Sequence, residues 1–184
     1  MKTLKITKAD LNERNEYTRS RDLEFEGHIE VEASLGLVSV LGFIRAAGGL
    51  SIEAGSSIKA GESIEAGWSI NAGWSIEAGW SIKSRSSIEA GLSIKAGWSI
   101  NAGKSIKAGS YIEARESIEA RESIKAGLSI RCKAKLTVKL RIFAGLCTWR
   151  LPKPEEQIIE CAELTQGTVC FGELKLLPAK TEAA

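Results

Sequence analysis

The 184-residue chain has one histidine, His28, and four cysteines, Cys132, Cys147, Cys161 and Cys170. A histidine acting as general base needs a nucleophile or acid within hydrogen-bond reach. His28 instead stands in an alternating acidic stretch, LEFEGHIEVE, which suits a surface residue. The cysteine spacings of 15, 14 and 9 residues contain no CxxC pair and read as reduced thiols rather than zinc ligands. There is no P-loop, no dinucleotide fingerprint in context and no metal-ligand spacing. No catalytic residue, metal or cofactor is therefore expected, and the chemistry left to this chain is recognition.

Two groups of side chains are candidates for it. From Lys125 to Lys153 there are eight basic residues and no acidic one. Within that run Arg131, Lys133, Lys135, Lys139 and Arg141 alternate with apolar residues, and Arg150 follows. This is either a solvated strand face or a site for nucleic acid or another anionic partner. The second group is Trp68, Trp74, Trp80 and Trp98, with Arg85, Arg115 and Arg121 at positions that otherwise hold glycine. These tryptophans either pack corners or form an exposed contact patch for a macromolecular partner.

The elements that must position these residues follow from a six-residue period. Isoleucine recurs at every sixth position from Ile52 to Ile130, in units reading SIEAGx, SIKAGx or SINAGx. Six is a multiple of the strand period of two, so in extended chain every isoleucine faces one way, with alanine on the same side. Serine and the Glu/Lys/Asn position then face the other way. Glycine is expected to turn the corners through a left-handed backbone conformation. Short strand, corner, short strand predicts an all-β, single-stranded parallel β-helix, a β-solenoid of triangular coils of about 18 residues.

Residues one coil apart then stack. One ladder reads Lys59, Glu77, Lys95, Glu113, Arg131, another Glu65, Lys83, Asn101, Glu119, and a third Glu53, Asn71, Glu89, Lys107, Lys125. Alternating sign helps hold the register of a repeat that would otherwise slip. Ice binding is disfavoured by charges on every rung, and mimicry of DNA by the absence of a continuous acidic stripe.

The expected organisation is an N-terminal segment or cap at 1–22 and a solenoid at 23–147. The solenoid is degenerate over 23–50, regular over 51–134 and degenerate again over 135–147. A C-terminal β-hairpin cap and tail follow at 148–184, the hairpin running from Gln157 to Leu177 and the tail, expected to be disordered, from Pro178 to Ala184. The N-terminus lacks the apolar stretch of a secretion signal and no segment reaches a membrane span, so a cytoplasmic location without membrane contact is expected. The net charge of +2 points to no particular partner.

The Ile-Glu-Ala-Gly-x-Ser unit resembles the left-handed hexapeptide β-helix family. It departs at the fifth position, normally small, where this chain carries Trp, Glu, Lys and Leu. Many members of that family are acyltransferases using a histidine base, a remote alternative here that would fall to His28. The flanks, KITKADLNERNEYT and VKLRIFAGLCTWRLPKPEEQIIEC, resemble small repeat proteins of Firmicutes phages and mobile elements associated with inhibition of type II CRISPR nucleases. That resemblance implies an anti-CRISPR-type inhibitor acting in a bacterial host cell on a host nuclease, on duplex DNA, or on both. The competing expectation is a self-assembling structural protein stacking acidic ends on basic ones; a homodimer through the C-terminal cap is also expected as an option.

Overall fold

The computed structural model describes residues 1–178; Ala179 to Ala184, most of the expected tail, lie outside the described residues. The hexads fold as expected, into a parallel β-solenoid of about nine turns. Its three faces can be named by the isoleucines they bury. Face A carries Ile58, Ile76, Ile94, Ile112 and Ile130; face B carries Ile64, Ile82, Ile100, Ile118 and Leu136; face C carries Ile70, Ile88, Ile106, Ile124 and Ile142. All of these side chains are fully buried, with the hexad alanines mostly beside them. Each buried isoleucine contributes about 1.5–3 kcal/mol relative to exposure. Lys135–Ala144 crosses a corner unbroken and joins faces B and C into one sheet.

Four local expectations are corrected. Among the corner glycines of the regular hexads, Gly55 adopts positive φ as expected, but Gly61 to Gly127 do not. They are needed because consecutive coils touch there: a Cβ on Gly97 would stand 1.9 Å from the carbonyl oxygen of Gly79. Serine does not simply share the outer face. Ser93, Ser99 and Ser129 are buried at the bends, and hydroxyl pairs such as Ser75–Ser93 (3.0 Å) and Ser117–Ser99 (3.2 Å) run along the corners.

The third correction concerns the start of the array. Leu50 pairs with Ile70 and Ser51 with Asn71, an offset of 20 residues rather than 18. Ile52 therefore falls in an alanine slot, and Ser51 rather than Glu53 heads the third ladder. The preceding coil is longer still, Ile29 pairing with Leu50 at an offset of 21. The extra residues turn the corner between faces C and A, around Ser34 and Gly36 (φ +60° and +72°) in the longer coil and around Gly55 (φ +77°) in the next.

The fourth is the C-terminal hairpin, which is absent. Ile158–Cys161 pairs in parallel with Ile130–Cys132, Glu163–Phe171 pairs in parallel with Lys135–Ala144, and Glu173–Leu176 pairs in parallel with Ile158–Cys161. The chain adds further turns of the same coil instead of folding back, because Ile159 and Cys161 continue the inward column. Ile130 to Ile159 is an offset of 29, eleven more than 18, and the surplus forms a loop at the corner between faces C and A. The N-terminal residues join the ladder too: Thr3–Ile6 pairs with His28–Val31, and Glu16 bridges to Ser39.

Candidate partner-binding surface

Fifth-position residues occupy the corners, where the backbone bends away and leaves the large side chains outside, although Ser56 and Ser110 are buried. Trp68, Trp74, Trp80 and Trp98 are accordingly 56, 48, 62 and 59% exposed. They do not share one edge. Trp80 and Trp98 stack on the corner between faces A and B, flanked by Glu62 and Glu116, through a continuous series of backbone hydrogen bonds. Trp74 lies on the corner between faces C and A, with Leu92 one coil further on. Trp68 lies on the corner between B and C, its ring edge-on to His28 at 4.8 Å.

Face A is therefore framed on two adjacent rungs. Trp74 and Trp80 bracket Ile76–Ala78, and Leu92 and Trp98 bracket Ile94–Ala96. Glu77 and Lys95 project between them and pair in register. The frame spans at most about 20 Å across the face, six residues of extended chain. Leu92 was not singled out in the sequence; its signal is its place in the tryptophan slot.

The charge ladder of face A runs further than the repeat predicts. Lys59, Glu77, Lys95, Glu113 and Arg131 stack as expected, and the alternation continues through Glu160 to Lys175 across the loop insertion. Lys59–Glu77 (3.8 Å) and Lys95–Glu113 (3.7 Å) are ion pairs. A shallow groove of about 510 Å³ follows this ladder, with Arg115 and Lys133 on its side toward face B.

The basic run, continuous in sequence, is dispersed in space. Arg131 lies on face A between Glu113 and Glu160. Lys135 enters face B and pairs with Glu163 at 3.8 Å, whereas Arg141 lies on face C, between Ser123 and Thr168. Arg150 belongs to the corner loop and holds Glu156 with two 2.6 Å bonds. Those bonds, with the Lys153 N–H, keep the Glu156 carboxyl down at about 2.

Lys133 and Lys139 occupy glycine slots, as do Arg85, Arg115 and Arg121. Arg115 and Lys133 stack on the corner between A and B; Arg85, Arg121 and Lys139 mark the corner between B and C. Room for their Cβ atoms is made by loosening the bend. The Arg85 N–H reaches the Ala66 carbonyl at 3.3 Å, against about 3.0 Å for the corner glycines, and the Arg115 and Arg121 N–H groups make no such bond. Glu116, Glu119 and Glu122 interleave with these cations around face B. No uninterrupted basic stripe results.

His28 has a structural role. Its Nδ1 accepts the Gly49 N–H at 2.9 Å while Trp68 covers the ring. Among the described residues no group of His, Cys, Asp and Glu is arranged to hold a metal ion, and no buried side-chain polar atom lacks a partner. No helix of the described residues is long and apolar enough to cross a membrane.

The acidic stretch is divided: His28–Val31 lies between Thr3–Ile6 and Leu50–Ile52, whereas Leu23–Phe25, with Glu24, is the terminal strand of face B. The basic Lys135–Ala144 is covered by Glu163–Phe171. Stacking of acidic on basic ends between molecules therefore cannot use Lys135–Ala144 as an open strand. No protein-family model, curated protein or solved structure matches the chain.

Proposed function

We propose that this protein is a non-enzymatic binding protein whose face A docks a protein partner. The supporting observation is the frame of Trp74, Trp80, Leu92 and Trp98 on two adjacent rungs, each about half exposed and bordered by Glu62 and Glu116. Aromatic anchors inside a polar rim are the usual composition of an interface centre. The alternating ladder between them supplies register and charge selectivity rather than raw affinity. The dispersion of the basic residues and their interleaving with glutamates favour a protein partner over duplex DNA, whose backbone rewards a continuous positive track.

In its sharpest form the reading is an inhibitor of a type II CRISPR nuclease acting in the bacterial cytoplasm, on the strength of the flanking segments. The test is a cleavage assay with purified guide-loaded nuclease, run beside an electrophoretic assay with duplex DNA alone. The expected result is inhibition by the wild type, its loss in a Trp80→Ser/Trp98→Ser variant that remains folded, and no shift of DNA alone. Uninhibited cleavage would remove the nuclease reading. Inhibition unchanged in the tryptophan variant would remove face A.

A further inference from the structure

The two ends of the solenoid are finished differently. In the first coil Ile6, Asp10 and Tyr17 are 1, 3 and 8% exposed. Asp10 accepts the Thr7 N–H at 2.8 Å and pairs with Arg19, and the Thr18 N–H donates to the Asp10 carbonyl at 3.0 Å. That end is packed by its own side chains and loop, with Thr3–Ile6 and Leu23–Phe25 as its terminal strands. In the last coil Phe171, Leu174 and Leu176 are 45, 36 and 63% exposed. Glu173–Leu176 is the terminal strand of face A, paired on one edge only among the described residues. An apolar strand edge in this state is a template for another strand.

We propose that the open edge is the dimerisation surface of this chain: a second copy pairs its own Glu173–Leu176 with it, antiparallel, about a twofold axis at Leu174. The backbone selects this arrangement. The Glu173 and Leu177 N–H groups donate inward, to the carbonyls of Gln157 and Cys161. By the alternation of strand geometry, Leu174 and Leu176 turn their N–H and C=O groups to the open edge.

Outward-facing residues must meet outward-facing residues, which leaves few symmetric registers. One centred on Glu173 opposes Glu173 with itself, and one centred on Lys175 does the same with Lys175. One centred on Leu176 sets Leu174 against Pro178, which has no N–H to give. The register centred on Leu174 exchanges both hydrogen bonds between the two leucines. It also places each Glu173 opposite the Lys175 of the second copy. The interface is self-complementary, as a closed twofold contact must be.

The test is sedimentation equilibrium of the full chain over a range of concentrations. Wild type is expected to reach a discrete dimer. Glu173→Lys and Lys175→Glu each create two like-charge pairs and should weaken the dimer about tenfold. Mixing these two variants restores opposite charges across the axis, so their mixture should recover a heterodimer. Leu174→Glu, at a partly exposed site, should give a monomer, with circular dichroism showing a retained fold.

Four results would overturn the proposal. These are a wild type monomeric at every concentration, association unaffected by the charge variants, open-ended polymers, and a full chain that dimerises only after residues 179–184 are removed. Nuclease inhibition is not part of this experiment, so its outcome leaves the partner-binding reading separately testable.

Discussion

Trp98 donates its backbone N–H to the carbonyl of Trp80 at 2.7 Å, so the two tryptophans stand one coil apart on the same corner. Their side chains remain 59 and 62% exposed, although Ile76, Ile82, Ile94 and Ile100 of the flanking strands are fully buried. The corner allows this because the bend after Ala78 and Ala96 carries the next side chain off the inward column.

Removing these rings should therefore cost far less than removing a core isoleucine. Trp80→Ser and Trp98→Ser are expected to lower stability by about 1–2 kcal/mol each, the burial of part of a ring. Ile94→Ala, at a fully buried site, should cost about 2–5 kcal/mol. Urea denaturation of the three variants makes the comparison; tryptophan variants that fail to fold would return these residues to a packing role.

The corner glycines should resist even a methyl group. Gly97→Ala brings a Cβ against the Gly79 carbonyl and must loosen the bond from the Gly97 N–H to Ala78, now 3.0 Å. A loss of about 1–3 kcal/mol is expected, with faster amide exchange at residue 97. Unchanged stability and exchange would mean that the coils are not held as closely as described.

The face A ladder predicts a salt-dependent effect. Lys95→Glu sets a third carboxylate between Glu77 and Glu113. Two like-charge contacts should destabilise by about 0.5–2 kcal/mol, less at high salt. Face C provides the converse, since Lys107 and Lys125 already stack. Lys125→Glu should stabilise by a few tenths of a kcal/mol, about the value of an exposed pair.

Acid should weaken the first coil through Asp10. The Thr7 N–H, the Thr7 hydroxyl and Arg19 hold this carboxyl below the usual aspartate range. A depressed native pKa gives stability that is fully present above the unfolded value of about 3.9 and is lost as pH falls through the native value. Asp10→Asn should be less stable than wild type by about 1–3 kcal/mol at pH 7. The difference should begin to narrow as pH falls below about 3.9, as read from denaturation at pH 7 and at successive lower values.

The thiols should separate by position. Burial pushes Cys132 up to about 12, and burial also raises Cys161, whereas Cys170 is exposed. At pH 8 an alkylating reagent should modify Cys170 first and reach Cys132 and Cys161 only on unfolding. Above about pH 8.5 the unfolded Cys132 thiol ionises while the native one stays neutral, so stability should fall as pH rises. Mass mapping of the labelled sites and denaturation between pH 7 and 10 check both statements.

Much of the solenoid was legible because its determinant is local and repeated. A six-residue period in isoleucine admits only extended chain with one buried side, and its repetition set the 18-residue coil and two of the three ladders correctly. The third ladder failed at its first rung. Nothing in Ser51-Ile52-Glu53 distinguishes it from later hexads, and only pairing against Ile29 and Ile70 shows that Leu50 takes the core position. The hairpin expectation failed for a related reason. Residues 158–176 have strand character without the hexad, and strand character alone does not state whether a strand turns back or climbs another coil.

By itself, then, the sequence determined the all-β parallel coil, the inward isoleucines and the alternating charges, since each depends on residue parity within a few positions. The stacking of Trp80 over Trp98 and of Trp74 over Leu92 follows from the same 18-residue coil. The tertiary structure alone decided where the coil departs from it: it set Ser51 rather than Glu53 beside Asn71, opened the corner loop before Ile158 and left Glu173–Leu176 as a terminal strand of face A. Those outcomes depend on accumulated offsets of 20, 21 and 29 residues between rungs, and such offsets arise only when the whole chain is stacked.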